Sequence, residues 1–179
     1  MGERYVKNLV RDAREVVDAL HFLGKKVCIV AGGYNIPIRI LAAELGIPKK
    51  RVVANELYFD AGGNYGGIRP GPCTRTTGKR IVLKKIAKSG TTLFVGDGAT
   101  DVLCQNAVDC FVGYGGVSRR ASVVKKAKNY LFSESLAPIV AMAAGERDAA
   151  RLQRTRFHGV FKKGMRLLKN PTHVRVNEI

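Results

Sequence analysis

Apolar residues recur at helical spacing over residues 8–23. Leu9, Val10, Ala13, Val16, Val17, Leu20 and Leu23 form one stripe, and Lys7, Arg11, Arg14, Glu15 and Asp18 lie outside it, which predicts an amphipathic helix. Gly24 closes that helix, and KKVCIVAGG reads as a short buried strand running into a glycine turn. Asn35 to Leu45 is a second helix, closed by Gly46 and Pro48. RVVAN is a second strand, and ELYFDAGGNYGGI alternates around Gly62-Gly63-Asn64 as a β-hairpin does. After a turn-rich connector over 69–77, GKRIVLKKIAKSG is a helix with Ile81, Val82 and Ile86 on one side. TTLFVGDGATD is a third strand breaking into a loop, and DCFVG is a fourth. A helix around 118–128, an edge strand at NYLF and a core helix from Ser135 to Ala144 follow. Short apolar strands alternating with helices predict a parallel α/β sheet covered on both faces, with ligands beyond the carboxyl ends of its strands. The AGG and GDGATD segments occupy those ends.

A hydrophobic content of 46% supplies a packed core and excludes general disorder. No run reaches the ~18 consecutive apolar residues of a membrane helix. The N-terminus lacks an apolar signal core, and Glu3, Asp12, Glu15 and Asp18 do not suit a transit peptide. Cys28, Cys73, Cys104 and Cys110 form no C-x-x-C pair, so reduced thiols in an intracellular protein are expected, in the cytoplasm or the mitochondrial matrix.

Charge adds a partner class. The chain carries 31 Lys and Arg against 14 Asp and Glu, a net +17, which suits RNA, DNA or an acidic membrane surface. Residues 151–179 hold eight of the cations and one acid. There Phe157, Val160, Phe161, Met165 and Leu168 make a helical stripe, weakened by Gly159 and Gly164 and stopped by Pro171, with THVRVNEI extended beyond it. Arg151, Arg154, Arg156, Lys162, Lys163, Arg166 and Lys169 are the candidate polyanion contacts. The alternative is a helix docked on its own domain with a solvated outer face. His158 and His173 have no neighbours at ligand spacing.

Candidate chemistry lies at two strand ends. Asp97 follows the strand TLFV, and Asp101, four residues on, could return to the same side as a second hard oxygen ligand for Mg²⁺. Gly96, Gly98 and Ala99 would let the backbone turn tightly beside a ligand. The alternative use of Asp97 is as cap of a helix over 99–106. Gly32 and Gly33 follow VCIVA and precede a helix, where backbone N–H groups can cradle a phosphate; a turn that merely needs glycine is the alternative. Lys79 opens a helix after the connector.

Taken in order, VCIVAGGY, RVVANELYFD with GNYGG, GKRIVLKKI, VGDGATD and FVGYGGVSRR resemble the motifs of phosphoserine phosphatases, within the haloacid dehalogenase-like (HAD) superfamily. The resemblance covers about residues 9–140. It implies a three-layer, Rossmann-like α/β core with a mostly parallel sheet. It also implies an aspartate nucleophile, a second aspartate two residues on as acid/base, and Mg²⁺ to screen charge as phosphoserine is attacked. Matched motif by motif, Lys79 is the phosphate lysine, Gly32 and Gly33 the phosphate-side turn, Asp97 the Mg²⁺ ligand and Asp101 a supporting acid.

The sequence also departs from that pattern. No two of its aspartates are separated by two positions, so the first motif, D-x-D-x-T/V, is absent together with the helical cap, and Ala31 stands where the second motif has Ser or Thr. The first strand of the family is central, so two buried strands here would need a partner segment or chain. Residues 1–144 are expected to be the core and 145–179 a basic extension. Two functions follow: a catalytically silent, basic scaffold in an RNA-containing assembly such as a ribosome, or part of an active phosphoserine phosphatase of serine biosynthesis whose nucleophile strand comes from upstream or from another chain.

Overall fold

The computed structural model describes residues 2–176. In chain order its helices are α1 (Gly2–Lys7), α2 (Ala13–Phe22), α3 (Asn35–Glu44), α4 (Gly78–Ala87), α5 (Ala99–Val102), α6 (Ala121–Lys126), α7 (Ala137–Ala143), α8 (Glu146–Leu152) and α9 (His158–Leu168). The strands are β1 (Ile29–Tyr34), β2 (Val52–Phe59), β3 (Tyr65–Arg69), β4 (Leu93–Gly96), β5 (Cys110–Tyr114), β6 (Asn129–Leu131) and β7 (Val174–Arg175). The chain divides into two compact units: residues 1–9 with 27–90, and residues 10–26 with 91–179. The division expected at residue 144 does not coincide with them.

In the first unit β1 runs parallel to β2, and β2 turns through Asp60–Asn64 into antiparallel β3. The turn is tied by Asp60, whose carboxylate accepts from the Gly62 and Asn64 amides at 2.9 Å each. Ile38, Ala42, Leu45, Ile47, Val82 and Leu83 are buried. Helix α4 packs on β1 with Val82 and Leu83 buried and Lys79 and Ile86 half-buried, and Ile81 is 47% exposed. Ile81 therefore belongs to the outer face, not to the side the spacing assigned it.

In the second unit β4, β5 and β6 are parallel, and β7 closes the sheet antiparallel to β6. NYLF is accordingly not an edge, since Tyr130 and Leu131 pair with Arg175 and Val174. The core gathers Val16, Ala19 and Leu23 of the α2 region, Val112, Leu131, Val140, Leu152, Phe157, Val160 and Val174. The basic extension is thus docked, with α9 packed on α7. A Cβ at Gly164 would fall 2.3 Å from the Ala137 carbonyl oxygen, so the glycine is what lets the two backbones approach. Asn177–Ile179 of the expected extended tail lie outside the described residues.

The helix expected over 8–23 starts only at Ala13, after Asp12, which is left-handed at φ 65°. Its carboxylate accepts from Lys163 Nζ at 2.5 Å and from the Ser135 hydroxyl. These contacts compensate a conformation that Asp tolerates better than most residues. They also fasten α9 to the start of α2. β1 is an end strand of its sheet, and β4 is an end strand of its own.

Candidate functional site

The first unit brings three of the expected residues together. Gly32 and Gly33 lie within β1 rather than after it, where pairing with β2 shifts register between Val30 and Tyr34. Neither glycine has positive φ. A Cβ on Gly33 would fall 3.2 Å from Ile38 Cδ1, and one on Gly32 would lie 3.9 Å from Lys79 Cε. Packing, not backbone freedom, therefore favours a small residue at Gly33, whereas a Cβ at Gly32 would make only ordinary contact with the Lys79 side chain that passes over it.

Two residues that the sequence did not single out hold this arrangement. Asn55, buried in β2, donates from Nδ2 to the Gly32 carbonyl at 2.8 Å. Gly78 opens α4 so close to the 72–74 turn that a Cβ there would lie 1.4 Å from the Pro72 oxygen. Only glycine lets α4 start at that point, and Lys79 is the next residue. An Asn inside an apolar strand was the one signal for Asn55. The glycine before Lys79 was visible, but its neighbour Pro72 was not.

In the second unit Asp97 and Asp101 have different surroundings. Asp101 is 5% exposed, and its Oδ2 accepts from the Gly98 amide at 2.9 Å, capping the short α5. A Cβ on Gly96 would fall 2.5 Å from Asp101 Cβ, so the room that Gly96 leaves is filled by Asp101 and not by a ligand. The capping role thus belongs to Asp101 rather than Asp97, and α5 stops at Val102, short of the expected 106.

Asp97 stands at the tip of β4 with its side chain 49% exposed. Arg120 Nη1 donates to its carbonyl oxygen at 2.9 Å and to its carboxylate. Arg120 lies 23 residues away, and no spacing rule points to it. The glycines of GYGG serve packing: a Cβ at Gly113 would fall 2.5 Å from the Tyr130 ring, one at Gly115 2.4 Å from Tyr130 Oη, and one at Gly116 2.3 Å from Tyr114 Oη. Burial, with the Glu134 and Asp12 charges, pushes the Tyr114 hydroxyl up to about 12.

The donor chemistry at Asp97 fits Mg²⁺, which takes carboxylate oxygens and keeps several waters. Asp97 would hold the ion and Asp101 would keep the loop in shape. Among the described residues there is no group of three or more His, Cys, Asp and Glu that could hold a metal ion. When bound, Mg²⁺ supplies charge neutralisation beside a phosphoryl group.

Several of the expected polyanion contacts are engaged within the second unit. Lys163 pairs with Asp12, Arg156 with Asp18 at 3.7 Å, and Arg151 with Asp148 at 3.7 Å. Arg151 also donates to the Phe22 carbonyl at 3.1 Å and lies over its ring. Arg154, Lys162, Arg166 and Lys169 are exposed. No helix among the described residues is long and apolar enough to cross a membrane.

No family model matches the chain. It is 34% identical over 128 residues to a phosphoserine phosphatase of Drosophila melanogaster, covering 69% of this chain and 47% of that one. To a phosphoserine phosphatase of Homo sapiens it is 32% identical over 128 residues, covering 69% and 57%. A solved phospho-aspartyl intermediate analogue of phosphoserine phosphatase superposes with a TM-score of 0.65 at 24% identity, over 78% of this chain and 68% of that one. The chain spans about half the length of the curated relatives it matches.

Proposed function

The chain is a phosphoserine phosphatase-like member of the haloacid dehalogenase-like superfamily, and from that premise we propose that these 179 residues by themselves are catalytically silent and act as a basic, polyanion-binding scaffold, in an RNA-containing assembly such as a ribosome. The observation that carries this reading is which acids the chain offers to a phosphoryl group. Asp97 is engaged by Arg120, Asp101 by the Gly98 amide, and the sequence offers no aspartate pair two positions apart. Ala31 adds to it, since a methyl group cannot donate to a phosphate oxygen. A net charge of +17 exceeds what a small anionic substrate requires, and favours an extended polyanion. The cytoplasm and the mitochondrial matrix both suit this role.

Phosphate release from phosphoserine with Mg²⁺ tests it, with Asp97→Asn as control and circular dichroism to show folded protein. No release above the control is expected. Release that disappears in the Asp97→Asn protein would overturn the reading.

One observation favours a second function. β1 and β4 are end strands, and Lys79 still lies over Gly32, an arrangement suited to a D-x-D strand from upstream or from a second chain, added by strand pairing. In that case the chain is part of a Mg²⁺-dependent phosphoserine phosphatase. A synthetic D-x-D-x-T strand peptide that confers Mg²⁺-dependent phosphoserine hydrolysis would establish it.

A further inference from the structure

Both units share the charge excess. Residues 1–9 and 27–90 hold 13 Lys and Arg against 4 Asp and Glu, and the remaining residues hold 18 against 10. In the second unit Asp12, Asp18, Asp97 and Asp148 each answer a cation in place. Helix α4 in the first unit is different. It carries Lys79, Arg80, Lys84 and Lys85, with Lys88 at its C-cap, and no acid.

At 3.6 residues per turn these cations separate onto two faces. Lys79 lies on the inner face with buried Val82 and Leu83. Arg80, Lys84 and Lys88 stand one turn above another on the outer face, with Lys85 beside them, and all four are exposed. Among the described residues none of these four has an acidic partner. Like charges four residues apart destabilise a helix. The helix dipole offsets this for Lys84, Lys85 and Lys88 near the C-terminus, but not for Arg80 in the first turn, where a cation is unfavourable.

We propose that the outer face of α4 is a docking surface for the phosphate backbone of single-stranded nucleic acid, which gives the polyanion part of the reading above a place in the fold. The cations form a row, about 6 Å from one to the next along the helix axis. A row suits a linear polyanion lying along the helix, whereas a compact anion would need them to converge. A membrane surface fits less well. An interfacial helix inserts an apolar face, and here Val82 and Leu83 are buried in the unit's own core, leaving Ile81 alone outside. Single strands are favoured over duplex because the same unit exposes aromatic rings for base stacking, Tyr65 at 62% and Phe59 at 49%.

The test is binding of a fluorescein-labelled oligouridylate to the full chain by anisotropy, between about 50 and 300 mM salt. The R80Q/K84Q/K88Q variant keeps Lys79 and good helix formers. Its log–log salt slope should be shallower than that of the unaltered chain by about 2, at about 0.7 for each lost phosphate contact. A K162Q/R166Q/K169Q variant of α9 should keep the original slope, with circular dichroism showing both variants folded. If the α9 variant alone flattens the slope, the α4 assignment is wrong and the polyanion reading survives. If the unaltered chain does not bind the oligonucleotide, or binds only phosphatidylserine vesicles, the proposal fails. Phosphoserine hydrolysis by the unaltered chain would sink the silent-scaffold reading without changing this result.

Discussion

Asp97 and Asp101 are the same residue type four positions apart, and their surroundings separate them. Asp101 is spent inside the loop on the Gly98 amide, while Asp97 faces outward against Arg120. D-x-x-x-D spacing could not distinguish these roles, because the guanidinium that marks Asp97 arrives from a distant loop. The pair is half-exposed on both sides, at 48% and 49%, so it is worth about 0.2–1 kcal/mol. Arg120→Ala should therefore raise Mn²⁺ or Mg²⁺ affinity at Asp97 by up to about fivefold, measured by calorimetric titration against an Asp97→Asn blank. Equal affinity with and without Arg120 would show that the guanidinium does not compete for the carboxylate.

Among the elements, α9 shows that two glycines in one helix can have opposite effects. Gly159 faces open space, whereas Gly164 lies under the Ala137 carbonyl. Gly159→Ala should stabilise by about 0.5 kcal/mol through helix propensity. Gly164→Ala should destabilise by about 1–3 kcal/mol, because a methyl group 2.3 Å from a backbone oxygen forces α9 away from α7. Thermal melts of the two variants moving in the same direction would refute this account. The sequence carried most of this level: β1, the β2–β3 hairpin, α3, α4 and the β4–β5 pair all follow apolar periodicity. α8 escaped because only Leu152 of its residues is buried, leaving no stripe to read. The start of α2 after Asp12 and the interior place of β6 escaped for another reason. Both depend on partners more than forty residues away, Lys163 and Ser135 for Asp12 and Val174–Arg175 for β6.

For the whole molecule, the acid limb of stability couples net charge to those long-range ties. Burial opposes ionisation of Asp12, but hydrogen bonds from Lys163 and Ser135, with the Lys163 and Arg11 charges, outweigh it and hold the carboxyl below its ordinary value. Asn64 does the same for Asp60, and Thr92 for Asp109. A carboxylate depressed on folding contributes stability above its unfolded value, about 3.9, and loses it as pH falls through the folded value. The melting temperature should thus hold between about pH 7 and 5 and drop below about pH 4. Protonation also raises a net charge already at +17, and added salt should recover that repulsive part. It should recover little at Asp12, whose pair with Lys163 is only 14% and 25% exposed. Asp12→Asn keeps a residue that tolerates the left-handed backbone, yet removes the charge that Lys163 and Ser135 meet. It should cost about 2 kcal/mol at pH 7 and flatten the acid limb. An unchanged limb in that variant would assign the acid loss to the surface carboxylates and leave α9 held by apolar packing alone.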